Sequence, residues 1–203
     1  GRYPGFPPIR GSCHQQAPRG AETAGMTSTP KSDDLLDSAY RVVRRLTPPE
    51  VPYAGLLARD GEDAVVLVDP AHMPNASRQR SRGTHVLEPL DVALLGSERK
   101  LVLPWCVEPL TRVLAQRHPE GIEDGEAVTI AISLHRGLMS LRPERDAGEA
   151  TGSWWITDTG RPVFAQAGDD ANPIGEATRV VWRTLAEAVT GADVRACLLR
   201  HAI

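Results

Sequence analysis

The chain is short of lysine, of paired cysteines and of long apolar runs, and each shortage excludes something. Only Lys31 and Lys100 occur among its 23 basic residues, so chemistry that needs a lysine has two positions to choose from. Cys13, Cys106 and Cys197 lie far apart with no paired spacing, which argues against a disulfide framework or a zinc knuckle. No stretch approaches the roughly 20 apolar residues that cross a bilayer, and the N-terminus lacks an apolar signal core. A soluble, cytoplasmic protein is the expectation. With 23 basic against 26 acidic groups the net charge is −3, which gives no general attraction to nucleic acid or anionic lipid. What remains is 203 residues, 41% hydrophobic, enough for a domain with a real core.

Residues 1–32 are rich in Gly, Pro, Arg, Gln, Ser and Thr and have almost nothing to bury, so they read as disordered. Met26 is a candidate start, which would leave Cys13-His14 upstream of the protein; two residues alone make no metal site. Residues 33–46 form a short amphipathic helix or an irregular strand, stopped by Thr47-Pro48-Pro49. Residues 53–58 and 64–68 are β-prone runs flanking Arg59-Asp60-Gly61-Glu62-Asp63, whose Asp-Gly step signals a hairpin. Residues 69–83 are polar and basic, with Arg78, Arg80 and Arg82, and read as a solvated loop. Residues 85–94 and 100–106 read as two strands joined by Gly96-Ser97-Glu98, followed by a helix over residues 108–117.

The centre of the chain is a helix from Gly125, a polar crossing and a tight hairpin. Val128, Ala131, Ile132, His135, Leu138 and Met139 recur at three- and four-residue spacing and predict one buried face. Glu123, Asp124 and Glu126 suit the positive end of the helix dipole. The run Arg142-Pro143-Glu144-Arg145-Asp146-Ala147-Gly148 breaks the helix. Trp154-Trp155-Ile156-Thr157 and Pro162-Val163-Phe164-Ala165 then flank the turn Asp158-Thr159-Gly160-Arg161. In a regular strand Trp154 and Trp155 point to opposite faces, so at least one is a core or interface residue. Residues 169–173 make a linker, residues 175–189 a helix through Ala177, Val180, Val181, Thr184, Leu185 and Ala188, and residues 193–202 one short helix.

This succession resembles a bacterial serine/threonine protein-kinase domain over roughly residues 38–191. The hairpin around Asp60-Gly61 resembles strands two and three of the kinase N-lobe, and residues 85–106 resemble strands four and five leading to the hinge. Residues 175–189 resemble the buried central helix of the C-lobe. Laid on the kinase pattern, the third-strand lysine falls at Leu67 or Val68, the catalytic base at Gly148, the metal-binding asparagine at Ser153 and the magnesium aspartate at Gln166. Gln166-Ala167-Gly168 stands for Asp-Phe-Gly, and Pro48-Pro49-Glu50-Val51-Pro52 occupies the place of the glycine-rich loop. Prolines remove amide donors and a glutamate repels phosphate.

The resemblance implies a reduced, two-lobed α+β fold: a disordered segment at residues 1–32, an N-lobe-like β-rich part at 33–107 and a C-lobe-like helical part at 108–203. A full kinase domain takes about 250 residues, so the fold is shortened or its C-terminal part is missing. The implied function is a catalytically inactive, pseudokinase-like regulatory or protein-interaction module. It would have a protein partner, no cofactor or metal, no nucleic acid and no membrane span, with ATP binding doubtful. Two alternatives stay open. One is an atypical phosphotransferase that uses Asp146 of Glu144-Arg145-Asp146 as base and Asp169 or Asp170 on a metal, which needs a two-residue insertion before the hairpin. The other is an unrelated small α+β binding domain. His85 and His118 read as surface or structural, and His135 as a core histidine on the apolar helix face. Ser153 has no histidine or acid at motif spacing, so it is not a nucleophile.

Overall fold

The computed structural model describes residues 40–74, 85–141, 149–167 and 171–201. The segment expected to be disordered, residues 1–32, lies outside them, as do Arg78, Arg80, Arg82, Asp146, Gly148, Gly168, Asp169 and Asp170.

Branched and leucine-rich runs punctuated by turn residues form a five-stranded antiparallel sheet. Its strands are β1 (Arg41–Leu46), β2 (Gly55–Asp60), β3 (Asp63–Val68), β4 (Asp91–Leu95) and β5 (Glu98–Pro104), ordered β1-β2-β3-β5-β4. The β2–β3 and β4–β5 hairpins turn at Gly61 and Gly96, whose φ angles of 60° and 61° suit a residue without a Cβ. The stretch read as a helix or an irregular strand is a strand from Arg41 on, with a bulge between Val42 and Arg44.

One expectation is corrected here. Residues 85–94 do not make a single strand, because β4 begins only at Asp91. Pro89 has no donor to give a ladder, and the residues before it turn aside to β8 (Pro162–Gln166) of a second sheet. There the Leu87 amide donates to the Phe164 carbonyl and the Phe164 amide to the His85 carbonyl, both at 2.8 Å.

The second sheet has three antiparallel strands ordered β6-β7-β8, where β6 is Cys106–Pro109 and β7 is Gly152–Thr157. Helices α1 (Leu110–Arg117), α2 (Asp124–Ser140), α3 (Ile174–Ala188) and α4 (Ala192–His201) accompany it. The fold is therefore α+β and two-lobed, an antiparallel N-terminal sheet followed by a mainly helical part that carries a short hairpin. Alternation along β7 and β8 buries both sides of the second sheet. Trp154 and Phe164 face the helices in one core, whereas Trp155, Val163 and Ala165 face the five-stranded sheet in another. Both tryptophans are thus interior, on opposite faces as strand geometry requires. Trp154 meets its cross-strand neighbour Phe164 edge-on, ring centroids 5.4 Å apart, and its Nε1 donates to Thr178 Oγ1 of α3 at 3.0 Å.

The buried face of α2 differs from the expected one. Ala127, Ile130, Ser133, Leu134 and Gly137 are buried, while Val128, Ile132 and Met139 are exposed and His135 faces outward rather than into the core. Size explains it, because the helix rests against Trp154. A Cβ at Gly137 would lie 2.4 Å from the indole, so close approach requires a glycine there and brings the face that carries Gly137, Ile130 and Leu134 inward. Helix α3 buries Ala177, Val181, Leu185 and Ala188 of its expected stripe, while Thr184 is half-buried and Val180 is turned outward. Among the described residues no helix is long and apolar enough to cross a membrane.

Candidate functional site

Where the two sheets face each other, strand alternation decides which residues can line a cleft. Val66 and Val68 of β3 and Leu101 and Leu103 of β5 point toward the second sheet. Leu67 points the other way, into a separate cluster with Ala58, Val65, Ala93 and Val102. Of the two positions left open for the third-strand lysine, Val68 is the one on the cleft side. It is fully buried and carries no charge.

The cleft is filled from above by the segment between β1 and β2. Glu50 closes a turn onto Thr47, its amide donating at 2.9 Å, and the chain then sends Val51 and Tyr53 inward. Both join the cluster that holds Leu46, Val66, Val68, Leu103, Cys106, Trp155, Val163 and Ala165. The Tyr53 hydroxyl donates to the Gln166 backbone oxygen at 2.5 Å, tying the segment to the end of β8. The hollow left beside Val51, Tyr53, Val68 and Cys106 measures about 10 Å³. That is at the lower limit for a single water. Burial pushes the Cys106 thiol up to about 12, with the nearby Asp158 carboxylate adding to the effect and Arg161 opposing it.

The other expected positions are distributed as follows. Ser153 is exposed on β7 on the side of Trp155, and its Oγ accepts from Trp155 Nε1 at 2.9 Å. Gln166 is buried at the end of β8, paired with Gly152, and by alternation its side chain shares the helix side with Phe164. Val68, Trp155 and Val163 share one core, Ser153 stands on the same strand face, and Gln166 brings its carbonyl to Tyr53. Leu67 is on the far face of the sheet. Gly148, Asp146 and Asp169 are outside the described residues.

Lys100 sits on β5, opposite Ala93 and on the outer face. It is held by Glu98 at 2.6 Å and Asp69 at 3.3 Å, away from the cleft. The Ala71 amide, then Lys100, keep the Asp69 carboxyl below its usual range. His85 is structural, buried with Nδ1 3.2 Å from the Pro162 carbonyl, and His118 is exposed. No group of three metal-ligating side chains occurs among the described residues.

The residues that sequence reasoning passed over are Val51 and Tyr53. Their signal was present: two apolar residues, two apart, in a stretch otherwise made of proline and glutamate.

No family model matches the chain, and no curated protein matches it. Among solved structures it is similar to the crystal structure of the Mycobacterium tuberculosis PknI kinase domain, with 18% identity and a TM-score of 0.40, over 76% of this chain and 75% of that one. At that TM-score the likeness carries no weight of its own.

Proposed function

We propose that this chain is a reduced, protein-kinase-like module without phosphoryl-transfer activity, acting in regulation through protein contacts. Its N-lobe-like part takes residues 33–107 and its C-lobe-like part residues 108–203. The observation that carries this reading is the packing of Val51 and Tyr53 between the two sheets, where a kinase would hold its nucleotide. Phosphoryl transfer depends on positioned phosphates and on cations that neutralise developing charge. At the cleft Val68 offers an aliphatic surface in place of a lysine, and Tyr53 holds the backbone carbonyl of Gln166, the position at which the resemblance implies a magnesium aspartate. Leu67, Val68, Gly148, Ser153 and Gln166 are on this view vestigial positions. The order of elements adds support, since two hairpins, a short helix, a long helix, a further hairpin and a helix follow in the succession that the sequence resemblance implies.

The test is a thermal melt with and without magnesium and ATP. A ligand of the native state at 100 times its dissociation constant would add about 2.7 kcal/mol of apparent stability; no shift is expected here. A concentration-dependent rise in Tm, joined by label transfer from radioactive ATP that is lost in Asp146→Ala, would replace this reading with the phosphotransferase built on Asp146 and Asp169.

A further inference from the structure

Helix α2 is apolar on two sides. One stripe is buried against Trp154 and the helix-side core, while on the other Val128 and Ile132 are 44% and 46% exposed. A helix hydrophobic all round is normally covered all round. These residues are not scattered singly, which would need no explanation. With Ala131 they form one wall of a groove of about 560 Å³, closed on the other side by Val194 and Leu198 of α4 and by Trp182 of α3.

The groove has charge at its ends, of opposite sign. Asp193 lies in the first turn of α4, at the end where α2 begins, because the Gly191 amide just before α4 donates to Asp124 Oδ1 at 2.9 Å. Arg136, beside His135, borders the groove eight residues beyond Val128, about 12 Å along the helix. Neither Arg136 nor Asp193 makes an ion pair among the described residues. A surface that is apolar in the middle, acidic at one end and basic at the other is complementary to itself after a half-turn. The rotation sets each acid against a base, as an isologous contact requires.

We propose that this groove is a self-association face. A second copy docks on it about a two-fold axis near Ile132, burying Val128 and Ile132 of both copies and placing Arg136 of each against Asp193 of the other. The arrangement does not depend on the kinase-like assignment, and neither nucleotide nor activity enters its test.

Sedimentation equilibrium of the full chain from roughly 1 μM to 1 mM covers the range of modest interfaces, and a concentration-dependent dimer is expected. Arg136→Asp and Asp193→Arg each place like charges at both ends and should weaken association by about tenfold or more. Mixing the two variants in equal amounts should restore it, because in the mixed pair every end joins an acid to a base. Both side chains are exposed, so unchanged melting curves confirm that the variants fold. The proposal is overturned by a wild-type chain that stays monomeric throughout, by single variants that dimerise like wild type, or by a mixture that fails to recover. A monomer that captures some other protein through this groove also overturns it.

Discussion

The two faces of the five-stranded sheet are made of alternate residues of the same strands and meet different neighbours. On the inner face Val66, Val68, Leu101 and Leu103 pack against Trp155, Val163 and Ala165 of the second sheet, with Val51 and Tyr53 wedged between. On the outer face Ala58, Val65, Leu67, Ala93 and Val102 are covered by one another and by Tyr40 and Leu56. Beside them lies an open hollow of about 320 Å³ walled by Arg45, Asp69, Glu98 and Lys100. The difference teaches that side-chain packing between the two sheets runs through one face of the five-stranded sheet.

Substitutions break or sharpen that contrast in a definite order. The largest effect belongs to Trp155→Ala, which should cost about 3 to 5 kcal/mol and separate the melting of the two parts. Its outer-face counterpart Leu67→Ala should cost about 2 to 3 kcal/mol and leave a single transition. Urea denaturation followed by far-ultraviolet dichroism and by tryptophan fluorescence distinguishes the cases, since coincident curves in Trp155→Ala would show that the inner face does not couple them. Next comes Tyr53→Phe, which keeps the ring and removes the hydroxyl donated to Gln166. A loss of about 1 kcal/mol is expected, and no loss in denaturant titration would mean the bond holds nothing in place.

The smallest effect near neutral pH concerns Cys106. Its thiol is held protonated by burial, with a pKa raised from 9.0 to about 12. Below pH 9 folded and unfolded chains bind this proton alike, so nothing changes. Between pH 9 and about 12 the unfolded chain gives the proton up and the folded chain keeps it, so stability falls as pH rises through that window. Cys106→Ser should flatten the alkaline slope of Tm. An identical slope in the variant would assign the alkaline loss to other groups.

Most of the fold was legible because turn chemistry and period survive without neighbours. Asp60-Gly61 and Gly160 mark hairpins in any surroundings, and α3 carries one apolar stripe, so its core face could be read directly. Helix α2 carries two, and choosing between them required knowing that Trp154 would lie against it. Gly137 and Ser133, which look unremarkable on an apolar scale, were the sign of close approach. The single strand expected over residues 85–94 failed at Pro89, whose missing donor frees the residues before it to pair elsewhere. The absence of lysine on β3 was readable from composition, whereas which of Leu67 and Val68 faces the second sheet needed the pairing register. That Val51 and Tyr53 point inward could be suspected from their spacing, but the partner of Tyr53 lies 113 residues away and no local pattern names it.

The paired main-chain bonds at Phe164 bear on how the molecule can move. Halves that breathe about a hinge need a seam crossed by side chains alone, which slide and repack cheaply. Here the backbone itself crosses, with residues 85–87 bonded to β8 while β8 also pairs with β7. Swinging the halves apart would strip buried amides of their partners. Separation then requires breaking those main-chain bonds and not merely sliding side chains past one another.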